Sequence, residues 1–523
     1  MIRRILRESF LPVLSAAFLV APFHWGGLWP TAFFAFIPVF RSIDNKSSSR
    51  VLKRFFVFGF LYWALLGYWL NYVNVVGFFV LCAYLSVYFA LFGVMARASL
   101  VSVKLRHTFY AAAFWVFLEY VRGTLIGGFP WALLAYSQWK NLWFIQGADI
   151  LGAYGISFLV IWVNVMLYQV LKHFLPTESV VKPPLPTRQL ATLALVWVIV
   201  LGYGAFQVQS REAFYKKEQP KAMLRVAVLQ GNIPQDQKWN ARIKTIIFEK
   251  YKRLTLMSAM EHSDLVVWPE TSFPGFLEDE PVMAAALRNT VRQSHTNVLV
   301  GAPSIGDLEK DLHFYNSAVL YGPNGEEVKR YHKAHLVPFG EYIPFEGLLG
   351  ILRSWVEIGH FTAGGEATVF SMLSQYAPVR IAAKFSVLIC YEDIFPELVR
   401  ERCKRGADFL VNITNDAWFG KTTAPYQHAQ ASVFRAVENR VPVVRAANTG
   451  LSCFISAEGR VISSVKSTEG EEIMVSGLKT QDITLRKGSS FYTRFGDLFF
   501  WLILGLLYLA YRDKQKASNY SRI

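Results

Sequence analysis

The chain has 523 residues, 53% of them hydrophobic, 15% aromatic and 18% charged, with a mean hydropathy of +0.28. That composition excludes a disordered chain, which would be poor in aromatics and rich in charge, and it argues against an ordinary soluble enzyme. The net charge of +16 suits either nucleic-acid binding or cationic flanks on membrane segments, and its location decides between them. Residues 211–490 hold 33 Lys+Arg against 31 Asp+Glu, so the remaining 21 against 7 lie in the hydrophobic parts. A nucleic-acid-binding domain carries its basic residues on its own folded face, so no nucleic-acid partner is expected.

In chain order, residues 1–210 are expected to form a polytopic α-helical membrane domain. The short apolar runs 10–23 and 28–40, separated by Gly26 and Gly27, read as a tight helical hairpin. Runs 55–72, 75–95, 152–171 and 189–206 each approach the roughly 20 residues that a spanning helix needs. Run 109–121 is shorter and closes near Glu119 and Arg122, and 499–511 adds a last segment within 491–523, making about eight spans. On one side of these spans lie 18 basic residues, from Arg3 to Arg522; the other side has Arg122, Lys140 and Arg494. This asymmetry predicts that both termini are cytoplasmic and that 211–490 lies outside. A cleaved signal peptide over 1–22 is disfavoured, because no small-x-small site follows a completed apolar core and further spans come after it.

Cys82 sits in an apolar helix and reads as packing. Cys390, Cys403 and Cys453 make an odd number in the outer domain, so at least one free thiol is expected there. No Cys or His pair has zinc-ligand spacing, and no metal is expected.

Within 211–490, residues 224–480 alternate short β-branched runs with helical patterns. Strands are expected at 224–230, 264–268, 297–301, 380–389, 409–413 and 441–446. Hairpins are expected at 316–332, around Pro323-Asn324-Gly325, and at 452–465; helices at 239–261, 281–295, 396–405 and 425–438. The mixture predicts an α/β domain with a mixed sheet.

Three chemically capable residues fall at strand ends. Cys390 ends one strand, and Pro396 marks a helix start shortly after it; a thiol near a helix N-terminus has its thiolate stabilised by the dipole. An inert buried cysteine is the commoner fate, although Tyr391-Glu392-Asp393 directly following suits an apolar pocket poorly. Glu270 ends a second strand, where a carboxylate is placed to take a thiol proton and later an amine proton, unless it is simply a surface group. Lys333 follows a third, where an ammonium supports a developing oxyanion, unless it is simply solvated. Nucleophile, base and oxyanion stabiliser together are the requirements of acyl transfer.

Trp268-Pro269-Glu270, the segment 331–342 around Lys333, and Leu388-Ile389-Cys390-Tyr391-Glu392 resemble the Glu, Lys and Cys motifs of the nitrilase (carbon–nitrogen hydrolase) superfamily. The whole chain resembles the bacterial apolipoprotein N-acyltransferase family. The membrane half carries that likeness in Glu119-Tyr120-Val121-Arg122-Gly123, Gly128-Phe129-Pro130-Trp131 and Gly152-Ala153-Tyr154-Gly155. The outer domain carries it in Gln230-Gly231-Asn232-Ile233-Pro234, Gly340-Glu341 and Asn415-Asp416-Ala417-Trp418-Phe419-Gly420. The resemblance implies an αββα sandwich and a phospholipid acyl donor, phosphatidylethanolamine, whose acyl chain Cys390 holds as a thioester. It implies Glu270 as general base and Lys333 at the oxyanion, supported by Glu341 and Glu392. Tyr391, Trp239 and Trp418 shape the pocket or its loops, and Asn316 lies close by. The implied acceptor is the α-amino group of a diacylglyceryl-cysteine apolipoprotein, in the last step of lipoprotein maturation. No cofactor is implied, and the implied location is the bacterial inner (cytoplasmic) membrane, with the catalytic domain on the periplasmic side.

Residues 340–363 include Phe345, Leu348, Leu349, Ile351, Leu352, Trp355 and Ile358, and are expected to dip into the outer leaflet as a substrate lid. His428 is expected to cap or pack, Arg435, Glu438 and Arg440 to form a structural ion network, and Cys403 and Cys453 to pack. Glu119 and Arg122 either pair or leave Arg122 to meet lipid phosphate. Nothing in the sequence points to a subunit interface, so a monomer is the default. The competing reading is a membrane-tethered amidase hydrolysing a small amide with the same three residues; the acceptor, water or amine, separates the two. A transporter would place polar residues in mid-helix, and these helices carry few.

Overall fold

The computed structural model describes residues 2–44, 46–101, 105–174, 187–218, 223–238, 240–308, 311–343, 361–365, 367–376, 380–485 and 489–520. Trp239 and the apolar stretch 344–360 expected to form a lid lie outside the described residues. The chain divides into two compact units, Met1–Gln209 with Phe495–Ile523, and Ser210–Arg494.

The first unit is helical. Among its described residues four helices are long and apolar enough to cross a membrane: Val75–Arg97, Leu105–Gly127, Ala148–Phe174 and Thr187–Ala213. Phe10–His24 and Leu498–Leu509 are shorter apolar helices. The run 28–40 is not one helix. It breaks into a 3-10 segment, Gly26–Phe33, and a six-residue helix, Ile37–Ser42. Pro30 and Pro38 explain the break, since proline removes a helix donor and is tolerated mainly in a first turn. Helix Ser48–Leu66 carries Arg50, Lys53 and Arg54 in its first two turns, which shortens its apolar part.

Buried polar side chains satisfy the irregular backbone that these breaks create, as an apolar surrounding demands. Asn164 accepts from the amide of Phe36 at 2.9 Å and donates to the carbonyl of Ala32 at 2.8 Å. Arg122 donates to the carbonyls of Phe129 and Trp131, at 2.9 and 2.8 Å. Glu119 accepts from the amide of Leu134 at 2.7 Å and lies 3.9 Å from Arg122. Both charged residues are buried, so of the two readings open in the sequence the pair is realised, and Arg122 is committed to the Gly128–Trp131 loop.

The second unit contains two six-stranded sheets. One has the order β12-β1-β2-β3-β4-β5 and the other β11-β10-β9-β8-β7-β6. The first is built from β1 (Met223–Gln230), β2 (Leu265–Val267), β3 (Asn297–Leu308), β4 (Asp311–Tyr321), β5 (Glu327–His332) and β12 (Gly477–Thr484). The second is built from β6 (Val369–Leu373), β7 (Ala382–Ile389), β8 (Phe409–Thr414), β9 (Val443–Ala447), β10 (Cys453–Ile455) and β11 (Val461–Ser464). The centre of each sheet is parallel, β1-β2-β3 and β7-β8-β9, and the flanking pairs are antiparallel.

Period-two alternation sorts each strand between two cores. Leu224, Val226 and Val228 of β1 join Phe385, Val387, Phe409, Val411 and Val444 between the sheets. Ala227 and Leu229 face outward, against Phe248 and Tyr251 of α1 (Lys244–Met260) and Leu287 and Val291 of α2 (Pro281–Ser294). The helices α3 (Pro396–Lys404) and α4 (Ala424–Asn439) cover the second sheet through buried Val399, Val433, Phe434 and Val437. The layers are therefore helix, sheet, sheet, helix, a sandwich with mixed sheets.

Candidate active site

The carboxyl ends of β2, β5 and β7 deliver the three residues singled out above. Cys390 follows β7 directly and has φ +56°, a left-handed conformation costing roughly 1–3 kcal/mol unless the surroundings enforce it. Asn412 of β8 enforces it from one side, its Nδ2 donating to the Cys390 carbonyl at 2.8 Å. Glu392, fully buried, enforces it from another: its Oε2 accepts from the amide of Ile389 at 2.7 Å. The other oxygen, Oε1, accepts from Tyr331 Oη at 2.7 Å and from the amides of Ala334 and His335 at 2.8 and 3.1 Å. Glu392 thus braces the strand that carries Cys390 against the turn that follows Lys333. Arg402 stands 3.8 Å from the same carboxylate and donates to Tyr331 Oη; nothing in its local sequence marks it for this.

Glu270 lies three residues beyond the short β2 and is buried. Asn316 of β4 donates from Nδ2 to its Oε1 at 2.7 Å. Lys333 Nζ donates to Glu341 Oε1 at 2.9 Å, stands 3.9 Å from Glu270 Oε1, and lies 5.4 Å from the ring centre of Tyr391. Asn316 also fixes Lys333, accepting from its amide at 2.8 Å. The Tyr391 hydroxyl donates to the carbonyl of Leu336. Glu270, Lys333, Glu341 and Asn316 therefore form one connected cluster, and Glu392 and Tyr391 hold its edges. Trp418 is not part of it: this side chain is 53% exposed, on a 3-10 turn two residues past Asp416.

The electrostatics assign protons. Burial acts to lower the Lys333 ammonium, but the neighbouring carboxylates, Glu341 first and then Glu270, outweigh it and hold the group above its ordinary value, so it stays charged. Burial first, and then the Glu270 carboxylate, raise the Cys390 thiol well above its usual range against the pull of Lys333. The resting sulfur is a neutral thiol. The thiolate expected from a helix dipole is not realised. A 3-10 turn, Cys390–Ile394, separates Cys390 from α3, and Glu270, Asp416 and Glu341 all oppose ionisation. A neutral thiol needs a base at the moment of attack, which is what a carboxylate in this cluster supplies.

Two further groups were not legible in the sequence. Lys238, on the loop after β1, is buried and donates to the carbonyl of Glu270 at 3.0 Å. Behind the nucleophile, Asp393 accepts from Arg445 Nη1 at 2.7 Å and pairs with His428 Nε2 at 2.8 Å. His428 is thus more than a cap. Arg435 and Glu438 form a buried pair at 2.9 Å. All four cysteines are free. Among the described residues, no cluster of His, Cys, Asp and Glu could hold a metal ion.

Gly301 of β3 sits under Glu270. A Cβ there would meet the carbonyl oxygen of Pro269 and, at 2.8 Å, the Cα of Glu270. Gly301→Ala is therefore expected to displace Glu270 and slow any reaction at Cys390 that uses it by about a hundredfold, the cost of roughly 1 Å of misplacement. Single-turnover kinetics on the folded variant check this.

The fold and the cluster define a class. A carbon–nitrogen hydrolase profile matches residues 225–487, and an apolipoprotein N-acyltransferase N-terminal domain profile matches residues 15–166. The chain is similar to the apolipoprotein N-acyltransferase of Geobacter metallireducens, 35% identical over 95% of this chain and 93% of that one. It is also similar to that of Haemophilus ducreyi, 31% identical over 82% of this chain and 78% of that one. Among solved structures, a mutant of the Nesterenkonia AN1 amidase from the nitrilase superfamily aligns with 52% of this chain and 94% of its own, at 18% identity and a TM-score of 0.38. The Ser210–Arg494 unit is a carbon–nitrogen hydrolase domain, joined in one chain to a helical unit with membrane-spanning character. The chain as a whole belongs to the apolipoprotein N-acyltransferase family.

Proposed function

We propose that this membrane protein transfers an acyl chain from a phospholipid to the α-amino group of the N-terminal diacylglyceryl-cysteine of apolipoproteins, by two displacements at Cys390. The neutral thiol beside a buried carboxylate and a charged lysine carries the reading. In the first half, Cys390 Sγ bonds to the acyl carbonyl carbon as its proton passes to Glu270. The ester C–O bond breaks, the lysophospholipid oxygen takes the proton from Glu270, and Lys333 faces the oxyanion meanwhile. In the second half, the acceptor amine attacks the thioester and gives its proton to Glu270. The C–S bond breaks and the sulfur regains the proton. Both substrates are held in a bilayer, so one site used in turn avoids binding two lipids together.

Asn316, Glu341, Tyr391 and Glu392 support the cluster in this scheme, and Trp418 and Trp239 are assigned to shaping the pocket or its loops. The donor we assign is phosphatidylethanolamine. The arrangement we assign is eight spans in a bacterial inner membrane, both termini cytoplasmic, the Ser210–Arg494 unit periplasmic and the protein monomeric.

Intact mass of wild type and Cys390→Ser after incubation with phosphatidylethanolamine in mixed micelles tests the reaction. The expected result is one acyl chain on the wild-type Cys390 peptide, released as an amide by a diacylglyceryl peptide, and none on the variant. Release of the acyl chain to water alone, or no adduct at all, defeats the proposal.

A further inference from the structure

Lys238 has no place in the mechanism above, yet its setting is unusual for a loop lysine. Such a side chain is normally solvated, and this one is 4% exposed. Its Nζ donates to the carbonyl oxygen of Glu270 at 3.0 Å and to Thr271 Oγ1. Both acceptors belong to the turn that carries the base.

That turn needs holding. Thr271 has φ +45°, a left-handed conformation that a β-branched residue rarely adopts. From below, Gly301 holds the turn: its carbonyl accepts from the amides of Ser272 and Phe273, at 2.8 and 3.1 Å. From the other direction Lys238 takes the Glu270 carbonyl and the Thr271 hydroxyl.

The loop bearing Lys238 is anchored in turn. Asn448 Oδ1 accepts from the amide of Ile233 at 2.9 Å, and Asn448 Nδ2 donates to the carbonyl of Ile233 at 2.7 Å. The same Nδ2 donates to Asn415 Oδ1 at 2.9 Å, and Asn415 Nδ2 donates to Gln235 Oε1 at 2.7 Å. Three loop starts, after β1, β8 and β9, are thereby tied together, and Lys238 projects from a fixed base.

We propose that Lys238 is a positioning residue for acyl transfer: its ammonium clamps the Glu270–Thr271 peptide and fixes where the Glu270 carboxylate stands against Cys390. Two lysines then serve one thiol with separate tasks, Lys333 at the oxyanion and Lys238 on the base. This assignment rests on the acyl-transfer reading given above.

The charged groups around Lys238 set its pH behaviour. Burial is the largest influence and lowers its pKa; the Glu270 carboxylate raises it, and the group falls at about 8. Lys333, 3.9 Å beyond on the Glu270 carboxylate, is the other cation at the cluster. Loss of the Lys238 proton weakens both clamp bonds, so the acylation rate is expected to fall on the alkaline side through this value.

The test is the rate of acyl-enzyme formation on the full chain in detergent, with phosphatidylethanolamine as donor, between about pH 6 and 10, for wild type, Lys238→Met and Thr271→Val. Lys238→Met is expected to acylate about 30- to 100-fold more slowly, as a displaced base does, with donor KM within about threefold, and to lack the alkaline decline. Thr271→Val removes an acceptor that favours the charged lysine, so its decline is expected at lower pH, with a rate about fivefold to tenfold down. A folded Lys238→Met with wild-type rate and pH profile overturns the assignment and leaves acyl transfer standing. Should Lys238→Met fail to fold, Thr271→Val decides alone, and an unchanged rate and midpoint there overturn it equally. A wild-type chain that takes up no acyl group overturns the acyl-transfer reading and this assignment with it.

Discussion

Glu270→Gln is expected to slow acylation of Cys390 by about ten-thousandfold, the upper range for removing a general base. The substitution keeps the shape of the side chain, and its amide oxygen can still accept from Asn316, as the carboxylate does at 2.7 Å. Lys333 loses a carboxylate 3.9 Å away but keeps Glu341 at 2.9 Å, so the oxyanion side stays charged. What disappears is the proton acceptor for a thiol that its surroundings hold protonated. The pH dependence follows in sign. Without the base, attack waits on spontaneous ionisation of a thiol whose pKa lies above its usual range, so the residual rate of Glu270→Gln climbs with pH across the alkaline region. Glu341→Gln, which leaves Glu270 in place and weakens the contacts of Glu341 with Lys333 and the Val337 amide, is expected to lose far less. Single-turnover acylation of the three proteins at several pH values reads this directly; a Glu270→Gln rate within tenfold of wild type would remove Glu270 from the base role.

The trio Cys390, Glu270 and Lys333 was legible as a candidate because the local pattern exposes it. Apolar strands such as 385–389 end abruptly in polar residues, as at Cys390 and Glu270, and Lys333 directly follows the mixed strand 327–332. What fixes them was not legible, because it comes from distant chain. Glu392 reaches Tyr331, 61 residues away, and Asp393 reaches Arg445, 52 residues away. Lys238 sits in a polar stretch whose composition says only "loop", and its burial follows from Asn448 and Asn415 anchoring that loop. The helix-dipole reading of Cys390 failed for a related reason: local order suggested Pro396, while burial first, and then carboxylates from other segments, Glu270 foremost, hold the sulfur protonated. In the helical unit, hydropathy located the apolar runs but undervalued Pro30 and Pro38, which prevent 28–40 from forming a single helix.

Asp393→Asn is expected to destabilise the catalytic unit by about 3–5 kcal/mol, the usual cost of breaking a buried ion pair from one side. Asp393 is fully buried and accepts from Arg445 Nη1 at 2.7 Å, from His428 at 2.8 Å and from Ser432. Arg445 is equally buried, and in the variant its charge faces a neutral amide. His428 keeps Asp416, at 3.3 Å. The wild-type pH dependence has two arms. Burial acts to lower the His428 pKa, but Asp393 outweighs it and the group rises from 6.5 to about 9. Its contribution to stability is therefore complete below about 6.5 and lost as pH rises through about 9. Burial acts to raise Asp393, but His428 and Arg445 outweigh it and hold the carboxyl below 3.8, so its contribution is present above that value and lost in acid. In Asp393→Asn both arms shrink together, because each depends on the other's charge. Thermal unfolding in detergent, followed by near-UV dichroism between about pH 5 and 10, is expected to show a midpoint roughly 10 °C lower at pH 7. It is also expected to show a flatter alkaline decline than wild type. A variant that melts within about 2 °C of wild type and keeps the full alkaline decline would mean that His428 is held by Asp416 rather than by Asp393, and that Arg445 finds compensation elsewhere in the second sheet.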